Sequence, residues 1–329
     1  LAYRKFTGTY NGHNLVVLVN ENVNTDVVRG VATTVESLSG TDQITNSASV
    51  TSQSMVDYAD RIDAVRINLG SDRYNGVDAR TVVSTATSTV GSGVDVDTLT
   101  SIEWAKTGAG DDWLIGSSVA NRLEGGLGND LLMAGLGNDT LVGGLGIDTA
   151  DYSDQASGVT ITLNGDSIGS AVFTDTTNND DLYSIENVIG TNQADSITIT
   201  DTNANWIDGG AGADTILAGA GNDTIIYNAS AVTLDGEAGT DTLVVRDAVL
   251  DLTAANVSGS KLKNFEVIDL RGSQGTQLTM SAESVASLST TSDAVTVYAD
   301  QNDVIELVGT WTLGANTVVD SKVYHTWTR

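Results

Sequence analysis

The chain contains neither cysteine nor proline in its 329 residues. The lack of cysteine excludes disulfide bonds, thiol catalysis and cysteine-based zinc sites. The lack of proline leaves every backbone N–H able to donate, which suits stacked β-strands. Basic residues are scarce as well, because 15 Lys and Arg stand against 43 Asp and Glu, for a formal charge of -28. Such a chain is not expected to bind nucleic acid, and its charge favours a polyvalent cation as partner.

Long apolar runs are also missing, since no stretch approaches the 18 residues of a membrane-spanning helix. The chain starts at Leu1 with no signal-peptide pattern, and a predicted strand at 323–327 runs almost to its end. We interpret it as a fragment or processed segment of a longer protein. A disordered acidic chain is not expected, because 40% of the residues are hydrophobic and they follow a pattern.

Residues for catalysis are few. The two histidines, His13 and His325, lie at opposite ends of the chain, and neither belongs to an H-E-x-x-H motif. No G-x-S-x-G motif and no phosphate-binding glycine loop followed by Lys occurs. Pairs of carboxylates carry little information here, because 43 acidic residues produce them by chance. The sequence therefore predicts no catalytic residues, and we expect that the chain is not an enzyme.

A nine-residue repeat is the main feature that is present. Residues 125–150 read GGLGNDLLM-AGLGNDTLV-GGLGIDTA, with Gly at position 4, Asp at position 6 and an apolar residue at position 8. The same register extends back through 107–124, so the first block covers 107–151. A second block, 191–244, contains GGAGADTIL from Gly209, AGAGNDTII from Ala218 and, after one degenerate turn, GEAGTDTLV from Gly236.

This pattern resembles the RTX (repeats-in-toxin) family of secreted bacterial proteins, whose nonapeptides form a parallel β-roll around calcium. The resemblance implies several Ca²⁺ ions as the cofactor. Calcium is a hard cation that takes six to eight oxygen ligands, from carboxylates and carbonyls. One turn supplies too few, so each ion is expected between two turns that are stacked on the same side of the roll.

The apolar residues at position 8 predict the core of this roll. Six residues form a turn and three form a short strand, so two nonapeptides make one coil and equivalent residues are 18 apart. We expect an all-β protein, a parallel β-roll or β-solenoid with two calcium-binding blocks and flanking degenerate β modules. The predicted core positions are Leu114, Leu123, Leu132, Leu141, Ala150, Ile207, Ile216, Ile225, Leu234 and Leu243.

The RTX resemblance also implies a ligand set for each ion. The earlier turn gives the carbonyls of positions 2 and 4 and the Asp of position 6, and the later turn gives the carbonyls of positions 1 and 3 and its own Asp. In the first block, one predicted site joins Gly126, Gly128 and Asp130 with Gly143, Leu145 and Asp148. A second joins Gly108, Gly110 and Asp112 with Gly125, Leu127 and Asp130, and on the opposite side Asn121 faces Ala134, Leu136 and Asp139.

The second block gives three further predicted sites. One pairs Gly219, Gly221 and Asp223 with Gly236, Ala238 and Asp241. Another places Asp195 with Gly209, Ala211 and Asp214, where an inserted residue near Ile199 alters the spacing, and the last places Asn205 with Ala218, Ala220 and Asp223. The alternative is that these Asp residues only form turns. Both interpretations stay open for Asp195, because of the inserted residue, and for the two Asn positions, because Asn carries no charge.

The rest of the chain is organised as degenerate modules. Asp57-Tyr58-Ala59-Asp60 precedes an alternating strand at 65–69, and Asp151-Tyr152-Ser153-Asp154 precedes a similar one at 159–163. An aliphatic or aromatic residue followed by Glu recurs, ending at Glu36, Glu103, Glu186 and Glu266. Each Glu either binds a cation or closes a loop by a hydrogen bond, and we favour the hydrogen bond.

These repeats predict four parts: an N-terminal β module at 1–55, strands with the first block at 56–151, strands with the second block at 152–245, and a C-terminal degenerate β module at 246–329. Leu15–Val19 is a predicted buried strand, and 281–288 a predicted short helix. Residues 250–327, with Asn264-Phe265-Glu266-Val267-Ile268-Asp269 and Trp311-Thr312-Leu313, are similar to the C-terminal part of large type-1-secreted bacterial adhesins and surface-layer proteins.

Three classes of function follow from these patterns. The first is an adhesin or surface-layer scaffold, exported by a type 1 system, that self-associates or binds other components of the bacterial surface. The second is the folding and secretion module of a type-1-secreted hydrolase. The third is the calcium domain of a pore-forming toxin, which should also contain apolar helices. We favour the first, because the turns are dispersed among degenerate modules. Thr-rich strands such as Ile197–Thr200 are expected to reflect β-propensity rather than ice binding.

Overall fold

The computed structural model is built almost wholly of β-strands. It describes residues 3–10, 13–20, 27–30, 33–36, 43–46, 55–59, 62, 64–70, 81–84, 95–100, 102–165, 167–174, 178–253, 261–272, 275–289, 294–314, 317–319, 322–324 and 327–328. Two compact units divide the chain, Leu1–Asp201 and Thr202–Arg329. The division into four parts that the sequence suggests stays a prediction.

Strands are short throughout the first unit. Its strands are β1 (Tyr3–Tyr10), β2 (His13–Asn20), β3 (Val27–Gly30), β4 (Thr33–Glu36), β5 (Gln43–Asn46), β6 (Met55–Asp57), β7 (Val65–Asn68), β8 (Thr81–Ser84), β9 (Asp95–Thr100), β10 (Trp104–Lys106), β11 (Trp113–Ser117), β12 (Arg122–Leu127), β13 (Leu131–Gly135), β14 (Thr140–Leu145), β15 (Thr149–Asp151), β16 (Val159–Asn164), β17 (Ser167–Phe173), β18 (Asn179–Tyr183), β19 (Asn187–Ile189) and β20 (Ser196–Ile199).

The second unit continues with still shorter strands and one helix. They are β21 (Trp206–Asp208), β22 (Thr215–Leu217), β23 (Ala220–Gly221), β24 (Thr224–Ile226), β25 (Thr233–Asp235), β26 (Ala238–Gly239), β27 (Thr242–Val244), β28 (Val249–Asp251), β29 (Leu262–Lys263), β30 (Val267–Asp269), β31 (Gln277–Ser281), α1 (Ala282–Leu288), β32 (Thr296–Tyr298), β33 (Val304–Val308), β34 (Thr312–Leu313), β35 (Thr317–Val319), β36 (Lys322–Tyr324) and β37 (Trp327–Thr328).

Consecutive strands alternate between two sheets in the first block, which makes it a roll. Strands β11, β13, β15 and β19 are parallel neighbours in one sheet, and β10, β12, β14 and β18 are parallel neighbours in the other. Leu114 pairs with Leu132, and Leu123 pairs with Leu141, so one coil takes 18 residues. The predicted fold class and the coil of two nonapeptides are confirmed.

The second unit has the same construction. Strands β21, β24, β27, β30 and β32 are parallel neighbours in one of its sheets, and β22, β25 and β29 are neighbours in another. A further parallel sheet contains β28, β31 and β33. Helix α1 begins after Ser281, whose side chain accepts a hydrogen bond from the backbone N–H of Ser284. The predicted short helix is therefore confirmed.

The core of each unit is the stack of position-8 side chains. All ten predicted core positions are at most 1% exposed. Burying aliphatic side chains at about 25 cal/mol per Å² of apolar surface stabilises the stacked coils. The order of the apolar positions along the chain thus sets which strands pair, because a shift of one residue would turn these side chains outward.

Antiparallel hairpins interrupt the roll at the strands that follow the repeated Asp-Tyr phrases, where the sequence predicted strands but not their antiparallel pairing. Strand β7 pairs with β8, and β16 pairs with β17, both antiparallel. The two hairpins begin after similar turns, in which Asp57 accepts from the N–H of Ala59 and Asp151 accepts from that of Ser153. The insertion of β16 and β17 means that β14 pairs with β18, which lies 41 residues further along. These hairpins are thus inserted between coils.

Two predicted strands lie near the ends of the chain. Leu15–Val19 falls within β2, although the burial of its side chains lies outside the described residues. The predicted strand at 323–327 is divided between β36 and β37. Within the part of the chain that the structure describes, we find no helix with the length and apolar character to span a bilayer.

Candidate metal centre

The position-6 carboxylates of the first block form a column along one side of the roll. In each step, the backbone N–H of one Asp donates to Oδ1 of the Asp one coil later. Asp112 donates to Asp130 at 2.8 Å, and Asp130 donates to Asp148 at 2.8 Å. The column starts where the N–H of Val65 donates to Asp112, and it ends where the N–H of Asp148 donates to Oε2 of Glu186 at 2.9 Å.

The other oxygen of these carboxylates is buried without a hydrogen bond. This holds for Oδ2 of Asp112, Asp130, Asp139, Asp148 and Asp241. Each of these residues is at most 2% exposed. A buried carboxylate oxygen that lacks a partner costs free energy unless a cation or a proton neutralises it. The structure thus contains a series of buried carboxyl oxygens without a partner, which fit a hard cation.

The pKa values of these groups show the same requirement. Burial raises the pKa of Asp112 and Asp148 to about 6, and burial with repulsion from neighbouring carboxylates raises those of Asp130 and Asp241 to about 7. Burial and the charge of Asp180 raise the pKa of Asp139 to about 8. Without a metal the folded turns therefore retain protons that free aspartates would lose.

The glycines at positions 2 and 4 allow the turns to stack closely. Gly126 and Gly128 have positive φ angles of 110° and 118°. A Cβ on Gly126 would lie 2.3 Å from the carbonyl oxygen of Gly108, and a Cβ on Gly128 would lie 2.1 Å from that of Gly110. Only glycine leaves room for these carbonyls. The predicted carbonyl ligands of the earlier turn are thus packed against the next turn.

Some of these carbonyls also accept a backbone hydrogen bond. Gly108 O accepts from the N–H of Leu127, and Leu145 O accepts from that of Gly128. A carbonyl oxygen has two lone pairs, so one hydrogen bond leaves a second lone pair for a cation. The predicted sites of the first block therefore combine carbonyl oxygens and Asp oxygens, which is the donor set that calcium prefers.

Asn228 shows where the ligands of one turn converge. The degenerate turn of the second block has Val232 in place of the position-6 Asp. Nδ2 of Asn228 donates to Gly210 O at 2.7 Å, to Gly212 O at 3.3 Å and to Asp214 Oδ2 at 3.4 Å. These acceptors are the carbonyls of positions 2 and 4 and the carboxylate of position 6. The amide nitrogen thus lies where the repeat pattern would place a cation, and it supports the ligand set in that turn.

Replacing Asn228 is expected to destabilise the second unit. Asn228→Ala removes the donor to two half-buried carbonyls and one buried carboxylate, and leaving a buried acceptor unsatisfied costs about 1–3 kcal/mol. Chemical denaturation at millimolar calcium should show this loss, whereas Ser230→Ala, at an exposed position of the same turn, should change the free energy of unfolding little. Equal stability of the two variants would contradict the role given to the Asn228 amide.

The opposite side of the first block carries a second column. Asn121 donates through its N–H to Oδ1 of Asp139 at 2.7 Å, and Asp139 donates to Oδ1 of Asp180 at 2.9 Å. The amide of Asn121 is engaged by the protein, because Oδ1 accepts from Ser117 and Nδ2 donates to Glu103 O. The predicted site at Asn121 with Ala134, Leu136 and Asp139 is thus brought together, with its amide already hydrogen-bonded.

Asp180 is a member of this column that the repeat pattern did not identify. It is 1% exposed and follows Asp139 by 41 residues rather than 18. A sequence match was present, because Asn179-Asp180-Asp181-Leu182 resembles Asn138-Asp139-Thr140-Leu141, which are positions 5 to 8 of a nonapeptide. The hairpin between β14 and β18 hid the match. Asp180 and Asp139 also lie beside the buried hydroxyl of Tyr152, whose pKa is raised by burial and by these carboxylates.

The second unit repeats the column. Asn205 donates through its N–H to Oδ1 of Asp223, Asp223 donates to Oδ1 of Asp241, and both bonds are 2.8 Å long. The N–H of Asp241 donates to Oε2 of Glu266 at 2.9 Å. Glu186 and Glu266 thus make a structural hydrogen bond, as favoured from the sequence, but it joins neighbouring coils instead of closing a loop, and in both cases it ends a column.

The predicted carbonyl positions of the second unit also lie in adjacent turns. Ala220 and Gly221 pair with Ala238 and Gly239, and Gly219 O accepts from the N–H of Ala238. The N–H of Ala218 donates to Asp235 O, and that of Gly236 donates to Lys263 O. The sites that contain Asp223 thus have their residues in neighbouring coils of one unit.

Asp195 differs from the other position-6 residues. Its Oδ1 accepts from the N–H of Val159 and the hydroxyl of Thr191, and its Oδ2 accepts from the N–H of Thr191 at 2.6 Å. Both oxygens therefore hold the turn together. The site predicted for Asp195 with Gly209, Ala211 and Asp214 includes residues of both units and stays a prediction.

Side chains alone do not make these sites. In the described part of the chain, no three His, Asp or Glu side chains gather as a metal-binding cluster. This agrees with an arrangement in which neighbouring turns contribute one carboxylate each, and backbone carbonyls supply the other oxygens. The fold and the donors together define a calcium-binding β-roll.

Comparison with known families supports the same class. The family model for the RTX calcium-binding nonapeptide repeat matches the chain in four copies, over residues 115–150 and 199–231. The RTX calcium-binding nonapeptide repeats assigned from the sequence are thus confirmed in parts of both blocks. No curated protein matches the chain.

Proposed function

We propose that the chain is the calcium-binding segment of a secreted bacterial cell-surface protein, an adhesin or a surface-layer or filament scaffold, which folds and assembles on extracellular calcium. The columns of buried Asp side chains carry this proposal. The Oδ2 atoms of Asp130 and its column neighbours have no hydrogen bond and need cations to neutralise them. A chain of formal charge -28 has few Lys and Arg side chains to supply that charge. Calcium is therefore a structural component of the protein.

The dispersed arrangement of the turns favours a surface scaffold over the secretion module of a hydrolase. A simple folding module would need only an uninterrupted run of nonapeptides. Here the hairpins β7–β8 and β16–β17 are placed between coils, and they lengthen the first unit without adding calcium turns. Repeating modules that each contact only their neighbours make extended structures. The resemblance of residues 250–327 to type-1-secreted adhesins supports the same choice.

Calcium also provides a physical reason for folding after export. Extracellular calcium modules bind with Kd values of about 10⁻⁴–10⁻³ M, well above the calcium concentration of a cytosol. The columns would therefore stay charged and unfolded inside the cell, which suits passage through a type 1 channel. Outside, the ions bind the native state alone and shift the equilibrium towards it.

Assembly is expected to depend on the same ion. Leu127 and Leu145 lie one coil apart on the turns and are 50% and 71% exposed, and Leu136 on the other side is 51% exposed. Acidic surfaces repel one another until a divalent cation bridges them. Self-association through such surfaces is thus conditional on calcium, and a hydrolytic activity is not part of this proposal.

A calcium titration of the purified chain tests the assembly. Light scattering and electron microscopy should show oligomers, sheets or filaments at millimolar calcium and none in EGTA. Magnesium at the same ionic strength is the control, because it keeps its water shell and demands octahedral geometry. A monomer at all calcium concentrations, or turnover of protease or lipase substrates, would favour the hydrolase module instead. Membrane permeabilisation would favour the toxin domain.

A further inference from the structure

Two short turns end the acidic columns in the same way. Residues 143–148 form a turn between Val142 and Thr149, which pair with Tyr183 and Asn187 of the next coil. In that coil only residues 184–186 connect the paired positions. Beside residues 236–241, the next coil has only 264–266. In both places a six-residue turn faces a three-residue turn, which reads Ser-Ile-Glu or Asn-Phe-Glu. The two turns belong to different units, so the geometry occurs twice independently.

Each short turn keeps a carbonyl in the place that a nonapeptide turn gives to its position-1 carbonyl. In the first block, Ala134 O lies 1.9 Å from the point that a Cβ on Gly116 would occupy. Ser184 O lies 2.2 Å from the equivalent point on Gly143, and Asn264 O lies 2.3 Å from that on Gly236. The φ angles of Ser184 and Asn264 are 50° and 55°, so both turns use a left-handed residue to aim this carbonyl.

The Asp of the preceding turn points at the same place. Oδ2 of Asp148 lies 2.4 Å from the Cβ point of Gly143, and Oδ2 of Asp241 lies 2.6 Å from that of Gly236. Both Asp side chains are 0% exposed, and both Oδ2 atoms are without a hydrogen bond. In each unit, a carbonyl oxygen and a carboxylate oxygen without a hydrogen bond therefore both lie near the Cβ point of one glycine, Gly143 or Gly236.

A second carboxylate lies beside each pair. Oε2 of Glu186 is 2.9 Å from the backbone nitrogen of Asp148, and Oε2 of Glu266 is 2.9 Å from that of Asp241. These are the positions that Oδ1 of the next Asp takes within the columns. Glu has one methylene more than Asp, so it reaches the column from a turn that is three residues shorter. Two carboxylates and a carbonyl are hard oxygen donors, suited to a divalent cation.

We propose that Glu186 and Glu266 are calcium ligands that complete one further site in each unit. Asp148, Ser184 O and Glu186 form the first site, and Asp241, Asn264 O and Glu266 form the second. The inference rests on the calcium-dependent folding proposed above, and it extends calcium binding to turns outside the nonapeptide pattern. A hydrogen bond that only closes the loop is the competing role for each Glu.

Glu→Gln substitutions separate the two roles. The amide oxygen of Gln can still accept the N–H of Asp148 or Asp241, so this hydrogen bond is kept while the charge is lost. At Glu266 the amide nitrogen would face the hydroxyl of Ser289, which donates to Oε1 of the native Glu. Equilibrium dialysis with metal analysis should show one ion fewer for Glu186→Gln and for Glu266→Gln, and two fewer for the double variant. The affected sites should bind roughly tenfold or more weakly, because ligand charge sets calcium affinity. Glu306→Gln, on exposed strand β33, is the matched control.

The outcomes are distinct. Unchanged stoichiometry and affinity in the double variant would overturn the inference, while an unaltered chain that binds no calcium would overturn the proposed function instead. If the variants do not fold, crystals of the unaltered chain grown in calcium decide. Anomalous density between Asp148 and Glu186 and between Asp241 and Glu266 would support the two sites, and density at the nonapeptide turns alone would overturn them.

Discussion

Removal of calcium is expected to unfold the nonapeptide blocks, and circular dichroism should record the loss of β structure when EGTA is added. Without the ion, the carboxylates of Asp112, Asp130 and Asp148 stand one coil apart as a column of buried charge. A ligand that binds only the native state adds about 2.7 kcal/mol at one hundred times its Kd. Several such sites together contribute as much as the whole stability of an ordinary domain, which is about 5–15 kcal/mol.

The return of the β signal on addition of millimolar calcium, but not of magnesium, controls for general effects of ionic strength. A β signal that is unchanged by chelation would contradict a structural role for calcium. The side chains of the position-8 core would then suffice to hold the roll together, and the buried Asp oxygens would have to be protonated.

Acidification should partly restore the metal-free fold. The pKa values of these aspartates lie at about 6 to 8 in the fold, above the usual 3.8. The folded state therefore binds more protons than the unfolded state between these values, so metal-free stability falls as the pH rises from about 4 to about 8. Denaturation in EGTA at pH 5 and pH 8 measures this, and greater stability at pH 8 would contradict the burial of these groups.

Asp130→Asn is expected to remove both of the ions that flank this residue. Asp130 is the central carboxylate of its column, and Asn keeps an oxygen that can accept the N–H of Asp112 but loses the charge. At one hundred times Kd, the loss of two ions reduces the free energy of unfolding by about 5 kcal/mol. Calorimetric titration and thermal unfolding at fixed calcium measure both effects.

Asp111→Asn is the control for this substitution. Asp111 is the adjacent residue in the turn sequence, it is exposed, and its Oδ1 accepts the N–H of Asn129. Asp111→Asn removes one negative charge, as Asp130→Asn does, but at a position outside the column. The number of calcium ions bound should therefore stay that of the unaltered chain. Equal loss of calcium in the two variants would mean that bulk charge, and not the column, governs binding.

Periodicity made much of the fold predictable. A Gly-rich turn followed by an apolar position-8 residue recurs every nine residues, and inward Leu and Ile side chains at this spacing can be buried in only one way. The core from Leu114 to Ala150, the 18-residue coil and the Asp columns all follow from this local rule. Glycine at positions 2 and 4 is part of the same rule, because the preceding coil fills the space of its Cβ.

Contacts across insertions were beyond the sequence pattern. Asp180 joins the column of Asp139 only because the hairpin of β16 and β17 lies beyond β18 in the same sheet, which returns the chain to register after 41 residues. Asn228 lies in a turn without a position-6 Asp, and its amide reaches the ligands of the preceding turn from a different position. Hydrogen-bond partners of this kind depend on where the backbone returns, and no spacing in the sequence specifies that.

The sequence by itself determined the class of protein, because a repeat of nine residues fixes the core, the coil and the calcium-binding turns through local geometry alone. Only the tertiary structure decided how the columns end. Glu186 and Glu266 replace an Asp although their turns are three residues shorter, since the longer side chain spans the gap that the parallel strands leave. A longer side chain thus compensates for a shorter turn, and this can be recognised only when the two neighbouring coils are seen side by side.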